Sequence, residues 1–302
     1  MRPLLRAVLV VLAVTVAGIS VPSMADRTDP AARTTPTPTA TPEPTPTSKP
    51  SKPSPSKAPR PQGRPQTPKS TPAPTRTAKA QPLRSLTIAI DPGHQLGNQN
   101  FPGETNALVP AGGFEKPCNT TGTATDSGVA EATVTFQLAR AVEQRLEALG
   151  ATVRMTRNAN SEGQWGPCVD TRGQFGGRVG AELMVSLHAD GSSASNRGFH
   201  VIAPTRSAPW TADVAGSSLR LARSLRDALT ALGLPPSNYT GAGTGLNVRD
   251  DLGTLNLSDV PVAMVEIGNM RNSGDANRMT SMSGRARQAD ALVRGIRTFL
   301  GR

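Results

Sequence analysis

The 302-residue sequence is poor in the residues that most often mark a reactive site, with two cysteines and three histidines. Cys118 and Cys168 have no CxxC and no Cys/His spacing around them, which argues against a role as metal ligands. Between residues 27 and 82 large apolar side chains are almost absent. That stretch holds 16 of the 28 prolines, set among Thr, Ser, Lys and Arg. It cannot offset its ordering entropy by burying surface, so residues 26–82 are expected to form a disordered linker with local polyproline II character. Net charge is small where a core could form. The formal +11 divides into +1 for residues 1–26, +8 for residues 27–82 and +2 for residues 83–302. A nearly neutral C-terminal part argues against nucleic acid as a partner and leaves the linker as a cationic tether.

What is present begins with Arg2 and Arg6 ahead of an apolar run from Ala7 to Val21, then Ser23-Met24-Ala25. This is the pattern of a signal peptide over residues 1–25, with a mature chain starting near Asp26. The run is short for a spanning helix, though uncleaved it would act as a membrane anchor. No cysteine follows the cleavage site, so no lipid anchor is expected there. Export places Cys118 and Cys168 where disulfides persist, and they are expected to bond to each other.

From Leu83 the pattern alternates strand-like and helix-like segments, which predicts one α/β domain over residues 83–302 with a mostly parallel sheet flanked by helices. Buried strands are expected at Leu86–Ile90, stopped by Asp91-Pro92-Gly93, and at Thr152–Thr156, Leu183–Leu187, Gly198–Ala203 and Val260–Ile267. Val134, Leu138, Val142, Leu146 and Leu149 recur at helical spacing, predicting a helix over Glu131–Leu149 capped by Gly150. Ala215–Leu232 and Gly284–Leu300 also read as helices. Residues 95–127 lack periodicity and read as one long loop, of the functional or pinned kind.

Two of the three histidines, His94 and His188, fall just beyond the C-terminal ends of expected buried strands, the edge where open α/β sheets bind ligands. His200 lies inside a strand and reads as a packed or partly exposed strand residue. Two imidazoles and a carboxylate make a catalytic zinc site with one open position. Glu131, at the start of a helix, is the best third ligand; Glu104 and Glu115 compete from the irregular loop. Glu266 follows the apolar run Val260–Val265, where a carboxylate is costly to desolvate unless it has a partner or a task. It reads as a general base acting on a metal-activated water, or else as a carboxylate paired with Arg271 or another basic group.

The ordered set Ile88-Ala-Ile-Asp-Pro-Gly-His94, Glu131, Ser186-Leu-His-Ala-Asp190, Arg197-Gly-Phe-His-Val201 and Val265-Glu-Ile-Gly-Asn269 resembles the zinc-dependent N-acetylmuramoyl-L-alanine amidases of the type 3 family. Lys116–Thr125 and Gly166–Asp170 are further similar to the mycobacterial and actinobacterial branch, whose members pair the two cysteines. The resemblance implies one Zn2+ per chain held by His94, Glu131 and His188, with Glu266 as catalytic acid/base. It implies hydrolysis of the amide between N-acetylmuramic acid and the L-alanine of the stem peptide in peptidoglycan, by a secreted, monomeric enzyme of the cell wall. The basic linker then suits anionic wall polymers or a membrane surface. Two other readings compete: a zinc peptidase cutting within the stem, and a wall-binding module without catalysis, which would lack a ligand or the acid. The chain departs from the family in carrying Gln95-Leu96-Gly97-Asn98 where many members have two glycines, and in a longer insertion up to Ser127. It also lacks the extra helix that blocks the active site in some members.

Overall fold

Short runs of β-branched and aliphatic residues form the centre of the computed structural model, which describes residues 80–302. Its strands are β1 (Thr87–Pro92), β2 (Leu108–Pro110), β3 (Glu115–Pro117), β4 (Thr152–Met155), β5 (Leu183–Asp190), β6 (His200–Pro204), β7 (Leu246–Arg249) and β8 (Val262–Asn269). Six of them make one sheet in the order β4-β1-β5-β8-β6-β7. All neighbours in it run parallel except β6, which is antiparallel to β8. The mostly parallel sheet is as the apolar runs imply. The antiparallel pair was not foreseen; the segment 191–199 is too short to contain the crossover helix that a parallel return would need.

The longer helices are α1 (Glu131–Ala148), α2 (Ala215–Ala231), α3 (Ser273–Thr280) and α4 (Met282–Leu300). Alternate strand residues point to opposite faces, and the two faces bury different layers. Ile88, Ile90, Val185, Leu187 and Val265 pack with Leu138 and Leu146 of α1, Leu225 of α2 and Leu292 of α4. Ala89, Met184, Ile202, Val262 and Met264 pack on the other face under Phe175, Val179 and Leu255, which lie on or beside single helical turns. This thinner layer leaves room for a cleft. α1 ends where the sequence places it, with Gly150 at φ +95° just beyond.

The expected loop 95–127 contains more regular structure than its composition suggests: a 3-10 turn at Leu96–Asn100, a helical turn at Pro102–Thr105 and the β2–β3 hairpin. It is pinned, as anticipated, by a disulfide between Cys118 and Cys168, 50 residues apart. The Asn98 side-chain amide also donates to Thr120 O at 2.7 Å and its oxygen accepts from Gly166 N at 2.9 Å. Opening the bond in a Cys118→Ser/Cys168→Ser double variant is expected to cost roughly 2–5 kcal/mol, since a loop of that length loses much closure entropy when cross-linked. A urea midpoint unchanged from that of the parent would contradict this.

The expected signal peptide and most of the linker lie outside the described residues. Among the described residues no helix is long and apolar enough to cross a membrane.

Candidate metal centre

The three sequence-selected ligands meet at the C-terminal edge of the sheet. His94 follows β1 by two residues. His188 is inside β5 rather than beyond it, because β5 keeps pairing with β8 as far as Asp190, with a register shift between His188 and Asp190. Glu131 is the first residue of α1, whose N-terminus reaches the same edge. One donor atom from each of His94, Glu131 and His188 lies within 4.8 Å of the others.

Local backbone features make the approach possible. A Cβ on Gly93 would stand 2.4 Å from His188 Cε1, so the turn can pass the second imidazole only as glycine. Gly122, at φ +76°, would likewise meet Glu131 Oε2 and His94 Cδ2 at 2.8 Å. His94 itself sits at φ +54°, a conformation that costs a non-glycine residue on the order of 1–3 kcal/mol and persists only where neighbours fix it.

His94 Nδ1 donates to Thr120 O at 2.9 Å, which leaves Nε2 to face Glu131 Oε2, 3.2 Å away. His188 Nδ1 is 2.9 Å from Glu131 Oε1. The Glu131 carboxylate, 4% exposed, also accepts from Ala189 N and Thr123 N. Burial by itself would raise its pKa, but the two imidazoles outweigh that and hold it well below the usual carboxylate range. Burial pulls the His94 imidazole down, and Glu131 more than restores it to above its ordinary value. Two imidazoles, a buried carboxylate and an outer hydrogen bond that fixes one tautomer form a donor set that fits zinc.

Glu266 sits within β8, paired in register with His188 of β5 on one side and His200 of β6 on the other. Its Oε2 is buried and finds no hydrogen-bond partner among the described residues. Burial, then the carboxylates of Glu131 and Asp190, push its pKa well above the ordinary value. Arg271 pairs with Asp126 at 3.0 Å, so the alternative of a Glu266–Arg271 ion pair is not realised. Glu104 and Glu115 are exposed on the 95–127 segment and do not line the cleft. That cleft, about 350 Å³, is lined by His94, Lys116, Glu131, His188, Asp190 and Glu266 among others.

His200 is packed as expected, 3% exposed, and burial depresses its pKa to about 4. An unfolded histidine takes up its proton near pH 6.5, so the stability tied to neutral His200 is complete above that pH and is lost as pH falls toward 4. A His200→Phe variant should therefore lose less stability than the parent between those two pH values. Parallel urea-midpoint curves for the two proteins would refute this.

Several residues around the site were not singled out from sequence. Asp91, fully buried, accepts from Arg172 Nη1 at 2.5 Å and from Ser186 Oγ at 2.6 Å. Burial raises its pKa, but Arg172 and then Ser186 reverse the shift. Tyr239 donates to Asp190 Oδ2 at 2.9 Å on the cleft wall. Asp91 had a visible signal, a carboxylate inside an apolar strand. Arg172 had none, because the helical turn Val169–Gly173 is too short to show a period.

Residues 88–298 match the family described as N-acetylmuramoyl-L-alanine amidase. The N-acetylmuramoyl-L-alanine amidase Rv3717 of Mycobacterium tuberculosis is 42% identical over 229 residues, 74% of this chain and 91% of that one. Among solved structures, the N-acetylmuramyl-L-alanine amidase Ami1 of Mycobacterium smegmatis superposes with a TM-score of 0.67 at 39% identity, covering 72% of this chain and 98% of that chain. Apo Ami1 of Mycobacterium abscessus gives 0.67 at 40% identity, covering 72% and 100%. The amidase AmiC2 of Nostoc punctiforme, at 22% identity and a TM-score of 0.53 over 73% of this chain and 99% of its own, shares the fold.

Proposed function

Since the chain belongs to the N-acetylmuramoyl-L-alanine amidase family, we propose that it hydrolyses the amide joining N-acetylmuramic acid to L-alanine of the peptidoglycan stem, with one zinc ion held by His94, Glu131 and His188 and with Glu266 as acid/base. The observation that carries this reading is the convergence of three mutually close donor atoms beside a carboxylate whose buried Oε2 has no hydrogen-bond partner among the described residues.

Zinc, when bound, supplies a Lewis acid that polarises a carbonyl and lowers the pKa of a water to about 7. The protein supplies the rest. Glu266 Oε2, free of any hydrogen bond among the described residues, accepts the proton of the attacking water and returns it to the amide nitrogen, which leaves as the L-alanine amine. Glu131 holds its position through Ala189 N and Thr123 N, so the ligand does not follow the proton. Met264 and Leu252 add an apolar patch to the cleft wall. Peptidoglycan is the substrate, and the enzyme works outside the cytoplasmic membrane. The signal peptide of residues 1–25 delivers it there, and the +8 linker of residues 27–82 meets anionic wall polymers or a membrane surface.

The test is metal analysis of the purified protein together with digestion of peptidoglycan, with and without a chelator, and mass spectrometry of the fragments. One zinc per chain and chelator-sensitive release of whole stems with free L-alanine amino termini are expected. Cuts inside the stem would replace this reading with a peptidase, and wall binding without any release would replace it with a binding module.

A further inference from the structure

Two buried arginines that take no part in the proposed proton transfer converge on the turn carrying His94. Arg172 is 2% exposed and Arg157 5% exposed. Arg172 Nη1 donates to Pro92 O at 2.7 Å as well as to Asp91, Nη2 donates to His94 O at 2.7 Å and to Gly166 O at 3.1 Å, and Nε donates to Pro167 O at 2.9 Å. Arg157 Nε donates to Pro92 O at 3.0 Å. Its Nη2 bridges Gly93 O at 3.1 Å and Ala132 O at 2.7 Å. Each of the three successive carbonyls Pro92, Gly93 and His94 thus receives a charge-assisted bond, from two guanidiniums whose fixed forks a lysine cannot reproduce.

The targets of these bonds bear on the metal site. Ala132 follows Glu131 in the chain, so a single Arg157 nitrogen ties the turn before one ligand to the first turn of the helix that carries another. The Arg157 guanidinium is in turn seated 5.0 Å over the Phe136 ring of the same helix. Arg172 holds the carbonyl of His94 itself, the residue whose left-handed backbone needs outside support. Its charge is matched by Asp91, and its far side grips Gly166 and Pro167 next to the disulfide-bonded Cys168.

We infer that Arg157 and Arg172 are positioning residues of the metal centre: Arg157 sets His94 against Glu131, and Arg172 holds His94 in the backbone conformation that aims Nε2 inward. The inference rests on the zinc reading proposed above. Loss of comparable outer supports costs roughly 10–100-fold in metal affinity.

The test uses the full chain with Arg157→Lys and Arg172→Lys, each of which keeps a positive charge but loses the fork. Zinc transfer to a chromogenic chelator, the visible spectrum of the cobalt-substituted protein and the melting temperature are measured on the folded fraction. Zinc transfer accelerated by about tenfold or more, with an altered cobalt spectrum, is the expected result. If either variant melts earlier yet transfers zinc at the parental rate with the parental cobalt spectrum, that arginine is only structural and its assignment falls. Should Arg172→Lys not fold, Arg157→Lys decides on the link between His94 and Glu131, and Thr135→Val tests that link again by removing the other donor to Gly93 O, at 3.0 Å. A parent protein that takes up no zinc would overturn the metal reading itself, whereas a zinc-loaded parent with unaltered variants overturns this inference alone.

Discussion

Glu266→Ala is expected to lower turnover on peptidoglycan by roughly 10²–10⁴-fold, the usual contribution of a positioned acid/base, while zinc stays bound at one per chain. The separation of the two effects follows from the sheet. Glu266 projects from β8, beside His188, and contributes no atom to the close donor set of His94, Glu131 and His188. The same substitution should leave the metal-free melting temperature unchanged or raise it. Among the described residues Glu266 Oε2 is buried without a hydrogen-bond partner, and burial and the neighbouring carboxylates drive its pKa up more than the Arg249 charge lowers it, so this group costs folding more than it returns. Calorimetry of parent and variant, alongside product release, checks both halves. A variant that melts clearly earlier would make Glu266 a structural residue, and undiminished turnover would remove its assigned role.

That pairing of cost and task explains why the site was legible before the fold was. His94, Glu131, His188 and Glu266 each break a local rule, a polar or ionisable group at the end of an apolar run or the opening of a helix, and rule-breaking residues are the first candidates for chemistry. The strand ends were less legible. His188 and Glu266 both lie inside their strands, because backbone pairing between β5 and β8 continues after the apolar side chains that mark a strand in sequence have stopped. The direction of β6 was also hidden in its apolar run, which reads the same parallel or antiparallel, although the shortness of 191–199 carried the answer. The arginine clamps were out of reach for a different reason. Arg157 and Arg172 act on backbone carbonyls, and a carbonyl has no signature in the sequence; only the fold brings the two guanidiniums to Pro92, Gly93 and His94.

The second large effect is expected at Glu131. Glu131→Gln should lose zinc at concentrations where the parent is saturated, by more than the roughly 10–100-fold that an outer-shell loss costs, with activity falling in parallel. The substitution is nearly isosteric, so the argument is electrical and geometric. The carboxylate oxygens accept separately from Ala189 N at 3.1 Å and from Thr123 N at 3.0 Å, while facing His188 Nδ1 and His94 Nε2. A glutamine offers one oxygen and one NH2 group, so one of the two backbone N–H groups would face another donor, at a cost of about 1–3 kcal/mol for the unmade bond. It also removes the negative charge that faces the two imidazoles. A zinc ion between two neutral imidazoles and an amide then lacks its anionic ligand. Competition with a chelator of known affinity, with circular dichroism to establish that the variant is folded, measures the effect. A folded Glu131→Gln protein that retains zinc with parental affinity would exclude Glu131 from the ligand set, and the search for a third donor would then turn to Asp190, the other carboxylate on the cleft wall besides Glu266.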